Sequence, residues 1–418
     1  MDGKKIPHYQ RIARQLKQAI ERGELAPGSR LPASRVYAQE LGVSRATIEN
    51  AWGDLVAQGW LERRGQAGTF VSDRLLPQQN APVQPVEGDE PAAPLPFQLG
   101  LPALDLFPRG LWARVMGRRL RTQTRFDLAP GDPSGEPTLR RAIVDYLRLS
   151  RSIECRPEQV LITGCYAASM RLILRTLARP GQQMWMEDPG FPLIRPVVND
   201  EGVAINPVPV DDDGMDIPWA QRHYPSAHFA LLTPAHQSPL GVALSLARRR
   251  QLLLWAAQNN AWIIEDDYDS EFRYHGKPLP PLKSLDREQA ALMCCSVPTL
   301  WQQTLADFIR EGHFWRHLKK MRASYAQRRL WLESALRAQG FTVVPQAGGI
   351  QMVVRVAGDD RPLAQRARRA GLAVQALSDW RMETRGEGGL IMSFTNLTSA
   401  EMANQAVRKL YVALYPQR

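Results

Sequence analysis

The sequence predicts an α/β protein in two parts, a small helix-turn-helix domain over residues 1–74 and a larger domain with a mainly parallel sheet over residues 97–418. Three observations carry this. Two short helical patterns meet at a glycine near the N-terminus and run on into a glycine-tipped hairpin. Residues 75–96 hold six prolines in 22 positions and few large apolar groups, a composition that cannot fold alone and makes a semi-extended linker. From residue 97 onward, apolar strand-like runs alternate with amphipathic helical runs, the pattern of a sheet with crossover helices.

Composition sets the outer limits. The chain has 418 residues, enough for two or three domains, and 44% of them are hydrophobic, enough for a sizeable core. No run of 18 apolar residues occurs, so no transmembrane helix is expected. The N-terminus lacks an apolar leader, which makes a cytoplasmic location the expectation. Four cysteines are too few and too irregular for a disulfide framework, and Cys294 and Cys295 read as small buried thiols. The net charge of +11 is spread along the chain; residues 1–75 hold twelve basic and eight acidic side chains. Charge alone therefore permits nucleic-acid binding without requiring it.

Residues 8–22, HYQRIARQLKQAIER, place Ile12, Leu16 and Ile20 one turn apart, and Gly23 stops the helix. A second short helix starts at Pro32 and Ser34, with Ser34 as its expected N-cap. Gly42 supplies a tight turn, and Ser44 opens a third helix with Ile48, Trp52, Leu55 and Val56 on one face. The opposite face carries Arg45, Thr47 and Glu49, groups able to meet base edges and phosphates. In WLERRGQAGTFVS, Gly65 and Gly68 mark a hairpin tip, Arg63 and Arg64 flank it, and Phe70 and Val71 return to the core. A small helical domain used for protein contacts would share the helices but has no need of the basic hairpin. The stretch GELAPGSRLPASRVYAQELGVSRATIENAWGDLVAQGWLERRGQAGTFV resembles, nearly end to end, the winged-helix domain of GntR-type regulators. The resemblance implies a double-stranded DNA operator as partner. It implies that Arg35, Ser44, Arg45 and Thr47 face the DNA and that Gly68 lets the wing tip approach the minor groove.

In the large domain QVLIT, QQMWME, HFALLTP and WIIED read as buried strands, and TLRRAIVDYLRLS, AASMRLILRTLA and LARRRQLLLWAAQNN as helices. Ligands of such sheets sit at the carboxyl ends of the strands. Three of those ends carry chemistry. After QVLIT, Gly164 leads into a helix starting near Cys165, whose free N–H groups suit a phosphate. After QQMWME the turn DPGF exposes Phe191, a ring able to stack on a flat ligand. After WII come Asp266 and Tyr268, two apart and so on one side of an extended chain. A carboxylate there can hold a protonated pyridine nitrogen, and a phenol a ring hydroxyl. Singly, each feature also reads as a helix cap, a core aromatic or a solvated acidic turn. Together they fit a flat, phosphorylated aromatic cation.

The set is similar to the aminotransferase-like domain of pyridoxal phosphate (PLP) proteins of fold type I. With the winged helix it resembles the MocR subfamily of GntR regulators, on LFPRGLWARVMGRRLR, GDPSGEPTLRRAIVDYL, EDPGF, TPAHQSPLGVALSLARRRQLL, EDDYDSEFRYHGKPLPPLKSLD and LADFIREGHFWRHLKKMR. The resemblance implies that Asp266 pairs with the pyridine nitrogen, Tyr268 with the ring hydroxyl, Phe191 covers the ring, and the backbone at Cys165 and Tyr166 meets the phosphate. It also implies a homodimer and a small-molecule amine or amino-acid effector.

The chain departs from that family at two places. Members carry a strand, a Gly-Thr-Phe-Ser-Lys type motif with the Schiff-base lysine, a phosphate-contacting arginine and a further strand after the equivalent of KSLDREQ. Here AALMCCSVPTLWQQ follows directly, and family-like sequence resumes at TLADFIREGHF. About thirty residues of the pattern, with two strands of the central sheet, read as missing. None of the eight lysines stands in a comparable context; Lys277 and Lys283 come nearest, in a proline-flanked loop. The second departure is GCYAA, where the family has a polar run such as GSQQA. The expectation is therefore a transcription regulator whose PLP is held non-covalently or lost, and not an enzyme. The rival is a working PLP aminotransferase with an accessory DNA-binding arm, and a third option is a ligand-blind DNA-binding dimer.

Overall fold

A computed structural model describes residues 7–73, 93–274, 279–285, 292–295, 298–383 and 386–415, the stretch 292–295 by its backbone. The chain forms two compact units, Met1–Ala92 and Ala93–Arg418. No described helix is long and apolar enough to cross a membrane.

In the first unit, helices α1 (His8–Glu21), α2 (Ser34–Glu40) and α3 (Arg45–Ala57) precede a hairpin of β1 (Leu61–Arg63) and β2 (Thr69–Val71). Helix α1 buries Ile12, Leu16 and Ile20 against Ile48, Trp52 and Leu55 of α3, as their spacing predicts. Two local expectations are corrected. Ser34 is the first helical residue of α2 and is buried, so it caps nothing; Ala33 holds the N-cap position without a side-chain bond. Phe70 is only half-buried, with the Arg64 guanidinium 4.7 Å from its ring centre, while Val71 is fully buried.

The second unit holds helices α4 (Arg109–Thr122), α5 (Pro137–Arg151), α6 (Tyr166–Leu177), α7 (Arg195–Asp200), α8 (Ile217–His223), α9 (Leu246–Asn259), α10 (Thr299–Arg310), α11 (His313–Ala338), α12 (Asp360–Arg369) and α13 (Ala400–Leu414). Its strands are β3 (Val160–Thr163), β4 (Gln183–Asp188), β5 (Ala204–Asp211), β6 (Gly214–Met215), β7 (Phe229–Leu232), β8 (Trp262–Glu265), β9 (Leu292–Cys295), β10 (Thr342–Val343), β11 (Gln351–Arg355), β12 (Gln375–Ala376) and β13 (Gly389–Ser393). The main sheet runs β6-β5-β4-β7-β8, parallel except for β6. A separate antiparallel sheet, β10-β11-β13-β12, packs with α11 and α13 around Tyr325, Leu336, Phe394 and Leu410.

Strands β3 and β9 pair with each other in parallel and form no ladder with the main sheet among the described residues. This corrects the expectation that two central strands are absent: a strand forms at Leu292–Cys295 and takes β3 as its neighbour. What is lost is continuity. The Trp262 and Asp266 amides donate to His228 and Leu232 of the β7 side, at 2.9 and 3.0 Å. Because a parallel strand bonds its two neighbours through alternate residues, the Ile263 and Glu265 N–H groups turn the other way. A cavity of about 2070 Å3 lies there, walled by Ile263 and Ile264 of β8, Leu161 of β3, Ile173 of α6, Leu253 of α9 and Ile143 of α5. A five-residue strand with its share of both faces fills on the order of 800 Å3. The cavity is thus large enough for missing strand as well as a ligand site.

On the main sheet Trp185 of β4 stacks on Trp255 of α9, with centroids 3.9 Å apart and both rings buried. Trp255→Ala is expected to cost about 3–5 kcal/mol of stability, read as a lowered urea midpoint; an unchanged midpoint would show that this contact does not hold α9 on the sheet.

Candidate functional site

In the first unit, Ser44 is the N-cap of α3, its Oγ accepting from the Thr47 amide at 3.1 Å and meeting the Thr47 Oγ1 at 2.8 Å. Its free hydroxyl chemistry is therefore already engaged in starting the helix. Arg45, in the first turn, and Arg35 on α2 are exposed, and Thr47 is half-buried. Gly68 has φ +110°, and a Cβ there would stand 3.2 Å from the Arg30 Nε, so the turn needs glycine. The basic residues of the hairpin are paired: Arg63 donates to Glu49 of α3 at 2.9 Å, and Arg64 bonds Glu62 and Asp73. Glu49, read as a DNA-facing group, is a clamp between helix and hairpin.

In the second unit, every acidic residue at the mouth of β8 has a partner. Glu265 accepts the Leu282 and Lys283 amides at 2.9 and 3.2 Å. Asp267 and Glu271 meet the buried Arg151 guanidinium at 3.3 and 2.7 Å, and Glu271 also accepts the Tyr146 hydroxyl at 2.6 Å. Asp269 lies 3.3 Å from the His236 Nδ1, both buried. The Tyr166 phenol acts on Asp266 as a donor, holding its carboxyl down against burial. The Tyr268 hydroxyl meets the His236 Nδ1 at 3.4 Å.

Four of the five candidate cofactor residues, Tyr166, Phe191, Asp266 and Tyr268, line the cavity beside β8, at the end where β3, β4, β7 and β8 terminate. Phe191 faces Tyr166 and Trp380, with centroids 6.3 and 5.8 Å away. Cys165 does not line it: it is exposed and is the N-cap of α6, without a side-chain cap bond. Ser238, Gln351, Trp380 and Ser393 complete the polar end. Sequence reasoning singled out none of these four. TPAHQSPLG marks the Ser238 turn, but nothing local signals that Gln351 and Ser393 of the second sheet close the same chamber.

Burial governs the electrostatics. Desolvation pushes the Asp266 carboxyl up to about 6, against the opposing Tyr166 hydrogen bond. Glu187, at the end of β4, accepts the Thr233 amide and hydroxyl at 3.1 and 2.7 Å, yet burial raises it to about 7. Tyr268 keeps 40% of its surface accessible, facing the open chamber, and desolvation by the surrounding protein holds its phenol well above the usual range.

The chain matches two protein families: bacterial regulatory proteins of the gntR family over residues 8–71, and aminotransferase class I and II over residues 120–294. It is 30% identical to the probable rhizopine catabolism regulatory protein MocR of Rhizobium meliloti, covering 98% of this chain and 94% of that one. That alignment spans 468 positions, more than the 418 residues here, so several dozen positions of the relative have no counterpart in this chain. It is 28% identical to the HTH-type pyridoxine biosynthesis transcriptional regulator PdxR of Corynebacterium glutamicum, covering 92% and 91%. Among solved structures, an archaeal alanine:glyoxylate aminotransferase superposes with a TM-score of 0.71 at 20% identity, covering 78% of this chain and 92% of that one. The α-aminoadipate aminotransferase LysN of Thermus thermophilus superposes with a TM-score of 0.68 at 22% identity, covering 77% and 92%. These likenesses show the aminotransferase fold.

Because both raised carboxyls bind protons more tightly folded than unfolded, their ionisation destabilises the fold. Stability should therefore rise as pH is lowered from about 7 toward about 5, the range between the ordinary and raised values of Glu187, by at most about 1.4 kcal/mol per pH unit for each group. Glu187→Gln should flatten that slope. Denaturant unfolding at several pH values checks it, and an identical slope in the variant removes Glu187 from the account.

Proposed function

Because the chain belongs to the MocR subfamily of GntR-type transcriptional regulators, we propose that its first unit binds operator DNA as half of a homodimer while its second holds PLP without a covalent bond. The observation that carries the second part is the convergence of Asp266, Tyr268 and Phe191 on one chamber at the strand ends. The donor set fits the ring. The Asp266 carboxylate complements a protonated pyridine nitrogen, the Tyr268 phenol stays protonated and can bond a ring hydroxyl, and Phe191 offers a face. The first-turn N–H groups of α6 suit a phosphate. When bound, PLP supplies an electron-withdrawing ring for chemistry on amines, and an amine or amino acid is the effector class this suggests.

What speaks against transamination is the position of the lysines. None of the lysines follows the end of β8 in a Gly-Thr-Phe-Ser-Lys type motif, and among the described residues Lys283 alone lines the cavity, in the loop whose amides hold Glu265. Lys277 lies outside the described residues, as do the side chains of Cys294 and Cys295. A lysine is central to transamination as covalent anchor and proton carrier. The second unit on this reading is a sensor and dimerisation domain.

For DNA, the exposed start of α3 supports readout by Arg45, with Arg35, Thr47 and the Ser44 cap beside it. A single winged helix offers a small interface, and specific sites usually need two half-sites on a symmetric partner. Arg45→Ala is expected to weaken binding to a selected operator by about 1–3 kcal/mol, measured by fluorescence anisotropy; equal affinity would misplace the reading face. Borohydride treatment of the PLP-soaked protein, followed by peptide mass mapping, should yield no stoichiometric adduct on any one lysine. A full adduct on Lys277 or Lys283 would overturn the non-covalent reading.

A further inference from the structure

The PLP-ring reading leaves one contact unexplained: a residue of the chain already holds Asp266. Tyr166 is the first residue of α6, and helical side chains lean toward the N-terminus, so its ring projects past the helix start into the chamber. Its hydroxyl lies close enough to the Asp266 carboxylate for each to shift the other's ionisation, and its ring centre stands 6.3 Å from that of Phe191, tilted by 55°. A ligand ring in this site must meet the same two conditions, lying beside Phe191 with a donor at its edge on Asp266. The Tyr166 phenol meets both. It also stands over the first turn of α6, whose N–H groups are the phosphate donors.

We infer that Tyr166 is the specificity-determining residue of the chamber: its phenol takes the seat of the ligand's ring and competes with it for Asp266. The inference rests on the PLP-ring reading and goes beyond it. A carboxylate has room for more than one donor, but one aromatic seat beside Phe191 does not take two rings. The phenol is neutral and stays so, because burial and the neighbouring Asp266 and Glu187 push its ionisation far above the usual range. It therefore satisfies Asp266 without bringing the positive charge that a pyridinium would. A bound pyridinium must displace the ring, which swings out about the Cα–Cβ bond.

The consequence is a site with low affinity for PLP-like rings that a smaller side chain opens. The probe is 4′-deoxypyridoxine 5′-phosphate, which keeps the ring and phosphate and has no aldehyde to label surface amines. Its binding to the full chain is measured by equilibrium dialysis for the parent, Tyr166→Ala, Tyr166→Phe, and Tyr166→Ala combined with Asp266→Asn. Tyr166→Ala is expected to bind at least about tenfold tighter than the parent, which corresponds to roughly 1.4 kcal/mol. Tyr166→Phe, which frees the carboxylate but keeps the ring, should fall between them. The added Asp266→Asn should remove the gain. Far-ultraviolet circular dichroism confirms that each variant is folded, and Tyr166→Phe carries the test if Tyr166→Ala is not. Parent binding that is weakened by Tyr166→Ala, and equally by Tyr166→Phe, would make Tyr166 a ligand contact; that overturns the inference and leaves the ring site intact. Binding that ignores Asp266 in every variant would overturn both.

Discussion

The parallel register that binds β7 between β4 and β8 fixes where every chemical group of the large unit stands. Met184 faces Phe229, and Phe229 faces Trp262, so the three strands end level. Three chain segments leave the sheet at that level. They carry Phe191 from β4, Ser238 and His236 from β7, and Asp266 and Tyr268 from β8. The Glu187 carboxylate, bonded to the amide and hydroxyl of Thr233, ties the first two exits together across the strand ends. A slip of one residue in any of these strands would send its site side chain to the other face.

Much of this was legible in the sequence, because the information was local. Ile12, Leu16 and Ile20 declare a helix by spacing, and the apolar runs ending in EDPGF and EDDYD declare strands whose carboxyl ends bear polar groups. The spacing of Asp266 and Tyr268 brought both to one chamber. What was not legible was set by distance. Ser34 looks like a cap until the chain buries it. Arg63 of the hairpin and Glu49 of α3, fourteen residues apart, look unrelated until the hairpin folds back on α3. Tyr166 looks like a backbone phosphate donor until its side chain is seen to reach Asp266, a hundred positions on. The strand at Leu292–Cys295 was missed because its partner, β3, lies more than a hundred residues earlier in the chain.

The acidic mouth of β8 shows how a folded chain sorts like charges. Glu265 is held by backbone amides, Asp267 and Glu271 by one buried guanidinium, and Asp269 by an imidazole. Each is committed to structure. Asp266, among the described residues, has only the neutral Tyr166 phenol acting on it as a donor. On the proposed reading, that difference in partner, and not in residue type, leaves one carboxylate of the run for a ligand.

The interruption between β8 and the β3–β9 pair has a consequence for how the unit opens. Cooperative unfolding in a sheet is carried by continuous ladders, and among the described residues the ladder stops here. The β3–β9 pair rests instead on a small satellite core of Leu139, Ile143, Val160 and Ala306, separate from the cores under β4 and β7. Amides of β3 can therefore exchange with solvent through an opening that leaves β4, β7 and β8 protected. Such an arrangement is expected to give the domain two hydrogen-exchange thresholds, the lower of them set by that satellite core.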